Sequence, residues 1–407
     1  MGDFHQNGII AILHNLTRQP VDILEAQLET FSKTRRMGLV LPSLFSELEG
    51  DALEQIVRKL KGVKYLNQIV IGLDRADQAQ FKHALTFFSR LPQHHRILWN
   101  DGPRLRAIDE KLSKLKLAPT EPGKGRNVWY CFGYIMASGM TDVIALHDCD
   151  ILTYERSLLN RLIYPVAHPD FSYKFCKGYY ARFTESKVNG RVSRLLVSPL
   201  LAALKTICNA NESLDYLESF RYPLAGEFSM RTDVLEDLRM PTDWGLEVGI
   251  LYEMKRNYST NRICQVDIAD TYDHKHQPLS RQDVDSGLSK MSIDISKAIF
   301  RKLATEGEVF SMEKFRTIKA TYYRNALDFV EIYNNDAIMN GLNLDRHQEE
   351  QAVELFAKNI LSAGQLFLEE PHSTPFIPAW NRVKSAVPDI MEQLKEAVEK
   401  DYEEFSG

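Results

Sequence analysis

The sequence predicts an α/β fold: a mostly parallel central sheet flanked by helices, followed by an all-helical C-terminal region. Strand-like apolar runs alternate with helical spacing up to about residue 150, which implies parallel βαβ units in a doubly wound sheet. From about Pro278 the apolar residues recur every three or four positions, as amphipathic helices require. In addition, Asp74, Asn100/Asp101 and Asp148/Asp150 all fall at carboxyl ends of predicted strands, where such sheets bind ligands.

The elements follow in order. "PVDILEAQLETFSK", from Pro20, has helical spacing and makes an N-terminal helical extension over 1–35. "RMGLVLPSLF" reads as a first strand and turn, and "GDALEQIVRKLKG" as an amphipathic helix. "LNQIVIGLDRAD" is a strand ending in Asp74, "AQFKHALTFFSRL" a helix and "HRILWND" a third strand. "NVWYCFGYIMASG" is a helix that leads into the strand "DVIALHDCD". The α/β unit is expected to span 36–280. Four amphipathic stretches then fill 281–407, as a lid or an oligomerisation layer, and a homodimer is the expected assembly.

Composition narrows the classes. With 407 residues, 44% of them hydrophobic, the chain is expected to form two or so domains with sizeable cores. A formal net charge of -5 gives no sign of a nucleic-acid binder. Cys131, Cys149, Cys176, Cys208 and Cys264 are far apart with no CxxC pair, a pattern of free thiols in a reducing compartment. The N-terminus lacks a basic region before a long apolar stretch, and no apolar run reaches the ~18 residues of a membrane span. The expectation is a soluble, cytoplasmic protein.

The chemistry concentrates in a few stretches. In "VIALHDCDIL" a buried-type strand stops at two carboxylates, Asp148 and Asp150. Carboxylates are costly to bury unpaired, so a positive partner is expected; two hard carboxylates can hold a divalent cation. "EPGKGRN" sets Lys124 between glycines before a helix, where backbone amides favour anions. It is not a P-loop, because the GxxxxGK[ST] spacing is absent. "SKVNGRVSRLLVSPLL" gathers Lys187, Arg191 and Arg194 around Gly190, after Lys174, Lys177 and Arg182, which suits a small anionic substrate. Glu227 and Glu247 stand beside glycines among buried-type residues, so each should be paired or functional. His274 and His276 close another strand-like run but do not by themselves define a metal site.

Taken in order, these motifs resemble the glucosyl-3-phosphoglycerate synthases, retaining glycosyltransferases of the GT-A, Rossmann-like fold. The likeness runs from about Arg36 to Leu279: strand-LP loop, strand-Asp, GKG, DxD, GRVSRL…PLLAAL, PLAGE, W-G-x-E-x-G and HxxQPL. The resemblance implies that Pro42, Ser43 and Leu44 line a nucleotide pocket, with Asp74 at the base and Lys124 at the diphosphate. It puts Asp148 at the ribose and metal, with Asp150 the direct ligand of Mg²⁺ or Mn²⁺ and His274 completing the site. Gly190, Arg191 and Ser193 match the loop that receives the phosphate of 3-phosphoglycerate, and Glu247 an acidic residue near the reacting sugar and acceptor. The family's "PALNEE" loop reads "PSLFSELEG" here, which leaves Glu47 as the nucleotide-contacting glutamate. Cys149 replaces the usual Ser in the DxD.

The implied partners are a UDP- or GDP-hexose and 3-phosphoglycerate. GDP-mannose or another small acceptor is the alternative within the class. A haloacid dehalogenase-type phosphatase would need DxDx[TV], but Leu152 follows Ile151 and Thr153 comes one place late. A non-catalytic sugar-nucleotide sensor is the remaining rival.

Overall fold

The computed structural model describes residues 6 and 8–406, apart from 120–121, 185, 209–210, 275–286 and 372–375. His276 and the start of the C-terminal region at 281 lie outside the described residues.

Strands β1 (Ala11–Leu13), β2 (Met37–Leu44), β3 (Leu66–Asp74), β4 (His95–Trp99), β5 (Val143–Leu146), β6 (Phe175–Tyr180) and β7 (Phe228–Arg231) come first in the chain. The two-residue β8 (Met240–Pro241), β9 (Ile263–Ala269) and the two-residue β10 (Phe376–Ile377) complete the set among the described residues. Eight of them form one sheet in the order β1-β9-β6-β7-β5-β2-β3-β4, while β8 and β10 pair separately. β7 is antiparallel to both neighbours and every other pairing in the large sheet is parallel. The interior of β2 and β3 is almost continuously buried and rich in Leu, Ile and Val. That is the composition of a parallel sheet covered on both faces.

Helices supply the covers. Asp51–Leu60 buries Leu53, Ile56, Val57 and Leu60 on one stripe. Gln78–Phe88 starts at a reciprocal capping box between Asp77 and Gln80. On the opposite face Lys124–Ser138 packs against β2 and β3 and shares one apolar core with the C-terminal helices. Trp129 and Trp380 stack there at 3.9 Å, and each indole N–H donates to a backbone carbonyl of the other's segment. The tail is thus built into the core.

Three features depart from expectation. The N-terminal segment carries the helix Val21–Phe31, but it also supplies β1, which pairs in parallel with β9 at the sheet edge. Three residues are too few to reveal a period in sequence, and the partner lies some 250 positions away. The C-terminal region is not wholly helical, since β10 pairs with β8. Helix Pro103–Lys114, opened by proline at its first turn, fills a stretch to which the sequence reading assigned no element.

Candidate active site

One edge of the sheet collects the chemistry because the strands run that way. The carboxyl ends of β2, β3, β5, β6 and β9 share this edge, and antiparallel β7 brings its amino end to it. Leu146 pairs with Phe228, so Asp148, two residues on, faces Gly226, two residues back. A Cβ on Gly226 would stand 2.3 Å from Asp148 Oδ2. Only glycine leaves room for that carboxylate.

The positive partner of Asp148 is Lys124, whose Nζ lies 2.7 Å from Asp148 Oδ1 and 3.2 Å from Glu247 Oε1. Lys124 is the first residue of its helix and Glu247 lies in the first turn of helix Leu246–Asn257. Two positive helix ends therefore meet at one point. A lysine is unfavourable at such an end, and here the two carboxylates offset it. Burial would lower the Lys124 ammonium, but Asp148 and Glu247 outweigh burial and hold it above its ordinary value. Burial pushes the Asp148 carboxyl up to about 6 even against the charge of Lys124. His147 is not that partner: burial drives it down to about 4, so it stays neutral, packed edge-on to Tyr154.

Asp150 Oδ2 lies 3.4 Å from His274 Nδ1. Residues 151 and 274 form an antiparallel bridge that fixes this approach. Burial raises the Asp150 carboxyl, yet the hydrogen bond and charge of His274, with Lys124, bring it below its usual range. Among the described residues no three His, Cys, Asp or Glu side chains converge as a ready-made metal cage. Behind Asp148, fully buried Glu227 accepts from the hydroxyls of Tyr180 and Tyr272, each at 2.6 Å, and these two rings stack at 3.7 Å.

Ser43 and Asp74 stand at the ends of β2 and β3. Ser43 is buried and donates to the Leu44 carbonyl; Asp74 accepts from Asn100 Nδ2 at 2.6 Å. Burial raises the Asp74 carboxyl despite hydrogen bonds from Asn100 and Asn127. Asp101 has a local structural task, accepting from the Ala76 amide and from Arg106.

A cavity of about 490 Å³ lies beside Lys124. Its walls include Lys124, Asp148, Glu247 and His274 from one side and Gly190, Arg191 and Ser193 from the other. Pro42, Ser43, Leu44, Glu47, Asp74 and Asp150 are not part of this wall; all but Asp150 sit along the ends of β2 and β3. Gly190 adopts φ +77°, a left-handed turn that launches a π-helical segment, Val192–Val197, immediately after Arg191. The buried Ser193 hydroxyl has no hydrogen-bond partner among the described residues.

The cationic run divides. Arg182, Lys187 and Arg191 line the cavity. Lys174 instead pairs with Asp233. Lys177 is buried in β6, where its Nζ donates to the Ala225 carbonyl and burial lowers it to about 8. Neither belongs to a solvated cationic loop. The sequence reading missed Asn127, Tyr180, Tyr272, Trp244 and Glu349. Trp244 was visible inside the W-G-x-E-x-G motif; Glu349, in the tail, carried no local signal.

No family model matches the chain. A glucosyl-3-phosphoglycerate synthase of Persephonella marina is 45% identical over 401 residues, which is 98% of this chain and 99% of the relative. Another, from Methanococcoides burtonii, is 38% identical over 99% of both chains. Both matches continue through the helical tail, beyond the stretch that carries the motifs. A solved glucosyl-3-phosphoglycerate synthase of Mycobacterium tuberculosis, in complex with phosphoglyceric acid, shares the fold with a TM-score of 0.53. It is 19% identical, and the match covers 73% of this chain and 88% of that one. The same enzyme in complex with Mn²⁺, UDP-glucose and phosphoglyceric acid matches at the same TM-score. At 45% identity over nearly its whole length, with this sheet and these motifs, the chain belongs to the glucosyl-3-phosphoglycerate synthase family.

Proposed function

We propose that this protein transfers glucose, with retention, from UDP-glucose to the 2-hydroxyl of 3-phosphoglycerate, using Mg²⁺ or Mn²⁺. The observation that carries the reading is the shared cavity: Lys124, Asp148 and Glu247 face Gly190, Arg191 and Ser193 across it. The first group suits a sugar diphosphate and the second a phosphorylated acceptor. The family relatives are named for the product, glucosyl-3-phosphoglycerate, and the solved mycobacterial relative is in complex with UDP-glucose and phosphoglyceric acid.

Pro42, Ser43, Leu44, Glu47 and Asp74 would hold the nucleotide, with Asp148 at the ribose. Asp150 and His274 would hold the cation. Two protein ligands suffice for a hard cation that takes its other positions from phosphate oxygens and water. When bound, the cation neutralises charge on the departing diphosphate. Lys124, released from Asp148 and Glu247, would add a second positive charge to the same leaving group. The acceptor 2-hydroxyl attacks the anomeric carbon as the bond to the diphosphate breaks. The hydroxyl proton passes to the leaving phosphate oxygen on the same face, so atoms and charge balance without an enzyme nucleophile. Glu247 would orient the reacting hydroxyls. Arg191 and Ser193 would receive the acceptor phosphate, with the Gly190 turn giving the anion close access to backbone.

We also assign the catalytic unit to 36–280, with the segments 1–35 and 281–407 as its supports. A homodimer is supported by exposed Ile332, Ile338 and Met339 along the helix Met312–Met339. Five buried free cysteines support a cytoplasmic setting. Among the described residues no helix is long and apolar enough to cross a membrane. The test is a matrix of UDP-glucose, GDP-glucose and GDP-mannose against 3-phosphoglycerate and glycerate, scored by nucleotide release with Mg²⁺ or Mn²⁺. UDP-glucose with 3-phosphoglycerate should dominate, and excess chelator should stop turnover. Phosphate release from a sugar phosphate, or no turnover with any pair, would contradict the reading.

A further inference from the structure

We infer that Glu349, on the helical tail, is a positioning residue for the acceptor: it grips Arg191 by one edge and leaves the other edge to the cavity. The inference rests on the reading above, in which Arg191 receives a phosphate.

Glu349 forms part of the cavity wall, yet it is only 2% exposed. Its Oε1 accepts from Arg191 Nε at 2.6 Å, and Gln348 Oε1 accepts from Arg191 Nη2 at 3.2 Å. These two bonds occupy one side of a planar guanidinium that carries five N–H donors in a fixed fork. Nη1 makes no bond to any described residue, so the end-on fork of Nη1 and the second Nη2 hydrogen remains for an anion. Glu349 Oε2 lies 2.8 Å from Arg194 Nη2 as an ion pair. Arg194 is itself buried, anchored through Nε to the Asn189 carbonyl and set over the Tyr333 ring. Two guanidinium groups share one carboxylate, which leaves one net positive charge next to the unpartnered Ser193 hydroxyl.

The tail also holds the backbone of the same loop. The Asn343 amide donates to the Ser186 carbonyl at 2.6 Å, and Lys187 bridges to Asn343. Loop and clamp are thus set from one short stretch of the tail, 343–349, distant in sequence. A carboxylate that merely stood in for a phosphate would be displaced by the acceptor. Glu349 is instead bonded to the inner edge of Arg191 and tied to Arg194 as well, an arrangement compatible with a bound anion.

The test compares Glu349→Gln and Glu349→Ala with Arg191→Lys in the full chain, using UDP-glucose, 3-phosphoglycerate and Mg²⁺. The expected result for Glu349→Ala is an acceptor KM raised about tenfold or more, because the charge-assisted bond that orients the fork is lost. Donor KM and kcat at saturating acceptor should stay within about twofold. Glu349→Gln, which keeps an oxygen acceptor and the shape, should show a smaller rise and remains decisive if the alanine variant does not fold. A lower acceptor KM would make Glu349 a competitor of the phosphate; an unchanged KM with only a lower melting temperature would make it purely structural. Either result overturns the inference. If Arg191→Lys raises the acceptor KM and the Glu349 variants do not, only this inference fails. If Arg191→Lys changes nothing, the phosphate-clamp reading fails with it.

Discussion

The two sides of the cavity are built by different means. On the Lys124 side, charged groups sit at strand ends and helix starts, so sheet topology places them within a few ångströms of one another. On the Arg191 side, a loop with a left-handed glycine carries the cations, and a carboxylate 158 positions later in the chain holds them in place. The first side is rigid because the frame is rigid. The second is only as rigid as its contacts with the tail. On the proposed reading, placement of the reacting diphosphate would fall to the frame and recognition of the small acceptor to a braced loop.

If that division holds, variants should sort by side. The largest effect is expected on the frame. Asp150→Ala should remove activity by about 10³-fold or more, equivalent to about 4 kcal/mol of lost transition-state stabilisation, with an unchanged melting temperature. Near wild-type turnover in that variant, or full turnover in excess chelator, would break the assignment of Asp150 and His274 to a cation. Lys124→Ala should lower kcat by about 10²-fold, the scale of a lost charge on a leaving group. It should weaken the donor and spare the acceptor KM. Unchanged kinetics with every donor would return the segment to an ordinary loop.

Arg191→Lys moves to the other side. It should raise the acceptor KM by about 10- to 100-fold, because a lysine cannot reproduce a planar fork, and leave the donor KM nearly as it was. Equal effects on both substrates would erase the distinction between the two sides. His274→Ala should be the mildest, a loss of about tenfold in apparent metal affinity, since water can replace one neutral ligand. Wild-type behaviour at limiting metal would make His274 structural.

How much of this was legible in the sequence follows the same division. β2 announced itself as an apolar run ending in a turn, and β3, β4 and β5 as apolar runs with carboxylates at their ends, because a doubly covered sheet needs such runs and a site needs such ends. Lys124, Asp148, Glu247 and Arg191 were readable because their spacing is set within a few residues of a glycine or a strand end. β1 was not, since three residues carry no period and their partner strand lies far along the chain. Glu349 was not, since an amphipathic helix offers many glutamates and only the fold shows which one is buried against two arginines. Lys177 misled for the same reason. Its charge suggested a cationic run for an anion, while the fold buries it inside β6, a strand covered on both faces.

The most direct measurement of the central claim is competition between 3-phosphoglycerate and glycerate for glucose from UDP-glucose, on the wild type and on Arg191→Lys. The wild type should strongly prefer the phosphorylated acceptor, and the variant should show that preference reduced by at least about tenfold, at unchanged donor KM. Equal use of both acceptors by the wild type would contradict the phosphate clamp, and with it the account of how this cavity selects its substrate.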